Sequence, residues 1–360
     1  MASPRPREQS APGVQSSGVL FVGAFLSQGG GRRAVAEDLE ARLGGLGWST
    51  RLTSRSRSRA GRMADMLWTA VRRRDEYDVA HVDVFSGLAF QWAELVARVL
   101  GAMGKPWIAT LRGGGLPEFA GRRSRRVARL LGAAFAVTAP SAYLQRAMRP
   151  YRAEIELVPN AIDAGRYPFR HRTAPAPELV WMRAFHDVYR PQMGPAVVAR
   201  LMGEFPDIRL QMIGPDKGDG SLEETRRAAA ELGVSDRIEF VLGVPKAEVP
   251  ERLAHADVYL NTPSVDNVPV SLLEALACGL CVATTAPGGI ADLVRDGHTA
   301  LLVAPDDPDA LASAVRRILA EPGLAARLSG NARPAAEAFD WKNVLPLWDS
   351  LFRRAVEGRP

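Results

Sequence analysis

A chain of 360 residues with 47% hydrophobic and 24% charged residues has the composition of a globular protein, and its length exceeds what one hydrophobic core usually serves, so two domains are expected. The formal charge of +6 admits an acidic partner. Its arginines cluster in "RLTSRSRSRAGR" (51–62) and "GRRSRRVARLL" (121–131) without interleaved aromatics and without a helix-turn-helix, zinc-finger or RRM pattern, which argues against nucleic acid.

Residues 1–17, rich in Pro, Ser and Arg, lack the apolar segment of a secretory signal and are expected to form a disordered N-terminus of a cytoplasmic protein. No apolar run approaches the roughly 20 residues of a membrane span. Short β-branched runs then alternate with amphipathic helices. Strands are predicted at 18–24, 48–53, 78–83, 106–111, 134–138 and 155–158, with helices at 32–46, 63–74, 86–103, 121–131 and 141–149 between them. The alternation stops at "PNAIDAGRYPFRHRTAPAPE", which reads as a linker. It resumes with strands at 178–182, 208–213, 237–242, 257–261, 281–285 and 300–303, and the chain ends in helices at 307–320, 322–337 and 340–356.

The order implies an α/β protein of two doubly wound, Rossmann-like domains facing across a cleft. The divisions are 18–165, 166–339 and a C-terminal helix within 340–360 that packs back toward the first domain. In such sheets ligands bind beyond the carboxyl ends of the strands, which places the site between the domains.

Within "NTPSVDNVPVSLLEALACGLCVATTAPGGIADLV" (261–294), Asp266 and Glu274 lie eight positions apart around the opening of an apolar helix. Asn267 is expected to cap that helix and Pro269 to occupy its first turn, leaving the amides of Val268, Val270 and Ser271 as a positive pole facing the cleft. At about 1.5 Å of rise per residue the two acids would stand roughly 12 Å apart, the span from ribose to sugar in a nucleotide diphosphate sugar. Taken alone, the pair also fits a capping acid and a structural buried acid. Gly288 and Gly289, after a strand and before a helix, add a place where backbone can approach an anion.

Residues 258–305, "VYLNTPSVDNVPVSLLEALACGLCVATTAPGGIADLVRDGHTALLVAP", resemble the C-terminal signature of the retaining glycosyltransferases of family 4, which have the GT-B fold. Weaker echoes are "SQGGGRR", "DVAHVD", "PWIATLRGG", "VTAPSAYL", "VPNAID", "IGPDKGDGS" and "RIEFVLGVP". The resemblance implies transfer of a sugar from a nucleotide diphosphate sugar to a glycan, lipid-linked or small-molecule acceptor, with retention and with no cofactor. It places Asp266 near the sugar hydroxyls, Glu274 on the ribose and Arg183 on the diphosphate, whose oxygens suit a guanidinium fork. Asn267, Val268, Pro269 and Val270 complete the donor loop, Val244 lies by the base, and Gly29 and Gly30, followed by Gly31, let backbone approach the donor or the acceptor.

The chain departs from the family in three places. Its first acid is Asp where Glu is usual. The second basic residue is missing from "RAFHDVYRPQ", leaving Arg190 first and Lys217 second as replacements. Arg112 in "TLRGGG" stands where many members carry the histidine opposite the reacting centre. His81 and His186 could face the cleft but more often such residues are structural. No His or acid cluster has metal-site spacing, so the reaction is expected to be metal-independent. Cys278 and Cys281 lie in an apolar passage and read as small buried residues rather than a redox pair.

The 121–131 helix, with Val127, Leu130 and Leu131 among Arg122, Arg123, Arg125, Arg126 and Arg129, suits either a solvated helix packed on the first domain or peripheral contact with an anionic inner membrane surface. Two other functions share these features: a nucleotide-sugar epimerase and a catalytically silent nucleotide-sugar-binding module.

Overall fold

The computed structural model describes residues 17–23, 25, 35–54, 56 and 58–358, the side chain of Arg59 aside. Six strands form the first sheet: β1 (Gly18–Val22), β2 (Ser49–Leu52), β3 (Val79–Val84), β4 (Trp107–Leu111), β5 (Ala136–Ala139) and β6 (Glu156–Leu157). Six more form the second: β7 (Glu178–Met182), β8 (Arg209–Ile213), β9 (Ile238–Val241), β10 (Val258–Asn261), β11 (Cys281–Thr285) and β12 (Leu301–Val303). Every pairing is parallel. Because helices cover both faces of such sheets, β1, β4 and β11 are apolar runs buried along their whole length.

The first sheet runs β2-β1-β3-β4-β5-β6 and the second β12-β11-β10-β7-β8-β9. The winding therefore reverses between β1 and β3 in one sheet and between β7 and β10 in the other. At such a reversal the connections leave the sheet in opposite directions and open a crevice beyond the strand ends. Both sites described below lie at these two points.

Local signals explain some of the helix limits. Ser58 Oγ accepts the Gly61 amide at 3.0 Å, so the second helix begins at Arg59, inside the arginine run and a turn earlier than its apolar pattern indicates. The expected 121–131 helix is two helices, Leu116–Arg122 and Ser124–Ala133, broken at Arg123, where φ is −134° and ψ 36°. Pro117 sets the earlier start, since its ring fits the first helical turn. Val127, Leu130 and Leu131 are buried in the first domain's core, so the apolar side of this helix is turned inward.

The last helix, Trp341–Glu357, packs Trp341, Trp348, Leu351 and Phe352 onto Val19 and Phe21 of the first sheet. The chain thus crosses between the domains twice. The crossings are bonded to each other: Ile162 donates to Phe339 O at 3.0 Å, Trp341 donates to Ile162 O at 3.1 Å, and the Ala164 amide donates to Asp340 Oδ2 at 2.9 Å. The linker is also tied down. Arg172, 1% exposed, donates to the Ala256 carbonyl at 2.7 Å and to Arg170 O at 2.8 Å, so it joins the linker to the second domain.

Candidate active site

Arg183 follows β7 and Asp266 lies in the loop after β10, so the reversal in the second sheet brings them together. Arg183 Nη2 lies 2.5 Å from Asp266 Oδ2. This is an ion pair without hydrogen-bond alignment, since that buried oxygen has no aligned donor. The guanidinium carbon stands 4.0 Å from the centre of the Tyr189 ring, and Arg183 is only 7% exposed. Burial disfavours the Arg183 charge, but Asp266, Tyr189 and Tyr259 outweigh it and hold the group above its ordinary value. It is a permanent, oriented cation.

The acid loop is held from four sides. Asp266 Oδ1 accepts the Asn267 amide at 2.8 Å. Asn267 Oδ1 accepts the Ser141 hydroxyl from the first domain, while its Nδ2 is buried without a partner among the described residues. Asn160 Nδ2 donates to Val268 O at 3.1 Å. From the first domain, Gly114 presses its backbone on the same loop: a Cβ there would stand 2.9 Å from Asp266 O.

The helix differs from its sequence expectation. It spans Val270–Ala277, and its N-cap is Pro269, with no side-chain cap. Asn267 is engaged by Ser141 across the domain boundary instead, and Asp266 stands in a loop outside the helix. The 12 Å helical spacing of the acids does not apply, because only the second half of the interval is helical.

Gly288 and Gly289 also have another role than an open anion seat. Gly288 has φ 62°, and a Cβ on it would collide with Asp266 O; a Cβ on Gly289 would lie 2.5 Å from Asn267 O. The glycines buttress the acid loop. Gly288→Ala is expected to cost roughly 1–3 kcal/mol through strain and collision together. Gly297→Ala, with a similar φ of 67° but nothing within 4 Å, should cost less. Denaturant unfolding of the two variants checks this, and equal losses would remove the buttress role.

Glu274 lies in the second turn of that helix, 5% exposed, and accepts the Tyr167 hydroxyl at 2.7 Å. Burial, reinforced by this carboxylate, pushes the Tyr167 hydroxyl well above its usual range, so it remains a donor. Glu274 and Val270 border a cleft between the domains, with Ile162, Trp341, Asp38 and Lys246 on its other walls. Lys246 Nζ bridges the mouth to Asp38 Oδ2 at 2.7 Å.

In the first domain Arg112 follows β4. Its Nε donates to Asp83 Oδ1 at 2.8 Å and its Nη1 to Asn160 Oδ1 at 2.7 Å. Since Asn160 also holds Val268, a continuous chain runs from Asp83 through Arg112 and Asn160 into the acid loop.

The remaining residues singled out in the sequence lie as follows. Arg190, with φ 43°, is engaged by Asp187 and, at 2.8 Å, by Asp306. Lys217 is exposed beyond β8, its ammonium unpaired among the described residues. Val244, after β9, packs on the second domain's core. Gly29, Gly30 and Gly31 lie outside the described residues. His81 is fully buried between Phe21 and Trp348, bonded to Thr110 at 2.9 Å, and burial pushes it down to about 4, so it is a neutral core residue. His186 Nδ1 accepts the Val188 amide at 3.2 Å and caps a short turn.

Both cysteines are buried and free, their thiols pushed up to about 12 by burial. Arg122, Arg123, Arg125 and Arg129 are exposed, while Arg126 pairs with Glu94. Among the described residues no helix is long and apolar enough to cross a membrane, and no three His, Cys, Asp or Glu residues are grouped where they could hold a metal ion.

Sequence reasoning passed over Tyr167, Tyr189, Ser141 and Asp83. Asp83 in "DVAHVD", Ser141 in "VTAPSAYL", Tyr189 in "RAFHDVYRPQ", Tyr167 in the linker and Asn160 in "VPNAID" all stood in segments already marked, but their local sequence carries no sign of the partners the fold brings to them.

Two doubly wound domains whose reversals face one another, with a cation and an acid at the second, define the GT-B architecture. Residues 25–166 match the family model described as Glycosyltransferase Family 4, and residues 184–334 match the one described as Glycosyl transferases group 1. The chain belongs to these group 1, family 4 glycosyltransferases.

A D-inositol 3-phosphate glycosyltransferase of Streptomyces bingchenggensis is 32% identical over 167 residues, 45% of this chain and 37% of that protein. A GDP-mannose-dependent alpha-(1-6)-phosphatidylinositol monomannoside mannosyltransferase of Mycolicibacterium smegmatis is 32% identical over 164 residues, 42% of each. The chain thus spans less than half the length of these curated relatives.

Among solved structures, sucrose-phosphate synthase from Thermosynechococcus elongatus superposes with a TM-score of 0.78 at 19% identity, covering 95% of this chain and all of that one. Anabaena HepE in complex with UDP and glucose gives 0.78 at 17% identity, over 94% and 99%.

Proposed function

We propose that this protein transfers a sugar from a nucleotide diphosphate sugar to an acceptor hydroxyl, with retention at the anomeric carbon and without a metal ion. The observation that carries the reading is the grouping at the second sheet's reversal: a permanent buried cation, Arg183, against Asp266, with Glu274 in the second turn of the adjoining helix and bordering the interdomain cleft. The donor's diphosphate takes Asp266's place as the partner of Arg183, and the freed carboxylate turns to the sugar hydroxyls. Asn267 Nδ2, buried and without a partner among the described residues, supplies a donor at the same place. Glu274 accepts from the ribose hydroxyls.

In the reaction the bond between the anomeric carbon and the leaving phosphate oxygen breaks and a bond to the acceptor oxygen forms on the same face. The acceptor's proton passes to the departing phosphate oxygen. Arg183, aimed before the reaction begins, stabilises the charge that develops on the diphosphate, and the exposed Lys217 adds to it. This front-side course needs no enzymic nucleophile, unlike the paired carboxylates of retaining hydrolases. Arg112, locked by Asp83 and Asn160, takes the place opposite the reacting centre as a fixed positive charge.

The test incubates the protein with UDP-, GDP- and ADP-sugars with and without acceptor alcohols. Nucleoside diphosphate should appear only when acceptor is present, and the product's anomeric proton coupling should match the donor's. Conversion of one nucleotide sugar to another without acceptor would mark an epimerase. A donor-dependent thermal shift with no turnover under any pairing would mark a silent binding module.

A further inference from the structure

The reversal in the first sheet, between β1 and β3, holds a second pocket that the donor chemistry does not use. Its walls are Met66, Phe85, Ala89, Trp92 and Ala93, with the Asp83 carboxylate as the polar group at one edge. Phe85 is 45% exposed, so a large apolar group stands uncovered at its rim. Mostly apolar walls with one polar edge are the usual lining of a small-molecule site.

Its position ties it to the transfer reaction. Asp83 both lines the pocket and binds Arg112, and Arg112 reaches the acid loop through Asn160 and Val268. A molecule seated here has its polar end within this relay, next to the donor loop.

We propose that the pocket receives the apolar part of the acceptor, an aryl or alkyl group adjoining the hydroxyl that is glycosylated, so that a wholly polar acceptor is the poorer substrate. The wall chemistry selects the class: Trp92, Phe85 and Met66 gain from covering apolar surface and offer no partners to a ring of hydroxyls. Asp83 accepts a hydrogen bond from a polar group at the acceptor's reacting end and so sets its orientation. The inference rests on the transferase reading for the fate of the bound molecule, but not for its binding.

The test measures binding of methyl, n-octyl and phenyl β-D-glucosides to the full chain by calorimetry, below micelle-forming concentrations, and then nucleoside diphosphate release from the donor panel with each probe. The octyl or phenyl probe should bind at least 10-fold more tightly than the methyl probe, and the better of the two identifies an alkyl or an aryl group as the natural one. Ala89→Trp, which fills the pocket from its partly buried wall, should abolish that preference while leaving the donor-induced thermal shift intact. Phe85→Ser, at an exposed position where folding is not at stake, should reduce it several-fold. Equal binding of all three probes, or a preference that survives Ala89→Trp in folded protein, would overturn the proposal. Probe preference without any nucleotide release would instead leave the pocket standing and count against the transferase reading.

Discussion

Replacing Arg183 by alanine is expected to lower turnover by roughly 10²- to 10³-fold, the usual loss when a fixed charge-stabilising group is removed from the reacting centre. Affinity for a nucleoside monophosphate should change far less, because the guanidinium is directed at the diphosphate as charge builds there. Alanine also strands Asp266, since the two side chains lie 2.5 Å apart and are almost wholly buried. An uncompensated buried carboxylate destabilises by about 3–5 kcal/mol, which could lower activity through unfolding alone. The double variant Arg183→Ala/Asp266→Asn removes the stranded charge, and the single variant Asp266→Asn measures what that carboxylate itself adds. The double variant should recover stability and not turnover. If monophosphate and diphosphate ligands lose affinity equally, or if the double variant regains activity, Arg183 is a structural cation.

Glu274→Gln is expected to weaken donor binding about 10- to 100-fold, in keeping with the roughly 1.5–3 kcal/mol of a charge-assisted hydrogen bond in a closed site. Glutamine keeps an acceptor oxygen for the Tyr167 hydroxyl, so the helix should hold its place. Tyr167→Phe supplies the contrast. It leaves the Glu274 charge but removes the donor that orients it, and the loss of donor affinity should be smaller. Titration calorimetry with donor distinguishes them, and an unchanged affinity in folded Glu274→Gln protein would end the ribose assignment.

Much of this architecture is legible along the chain because parallel strands are buried on both faces. Runs such as "CVATT" and "PWIATL" stand out against amphipathic helices with little ambiguity, and the structure puts strands Cys281–Thr285 and Trp107–Leu111 there. The acid loop was visible too, as two carboxylates near an apolar helix. Its support was not. Pro269 rather than Asn267 begins the helix, because Ser141, 126 positions earlier, engages the asparagine side chain. Gly288 and Gly289 signal close approach, but a glycine does not say what approaches. It is the carbonyl of Asp266 in one case and of Asn267 in the other. Arg112 likewise announces a charge, while its meaning depends on Asp83 and Asn160, 29 and 48 positions distant.

The bonded double crossing at Ile162 and Asp340 has a mechanical meaning. A single connecting strand would act as a swivel, free to twist. Two strands clamped side by side act as an axle, resisting twist and permitting swing. Displacement in a swing grows with distance from the axle, and Ile162 and Trp341 are themselves walls of the cleft that Glu274 borders. The Glu274 end of the site therefore travels least when the domains part. Contacts away from it, such as Arg146 with Asp292 at 3.2 Å, must break and remake. A nucleotide gripped beside the axle could stay seated through an opening wide enough to exchange what lies at the far end of the cleft.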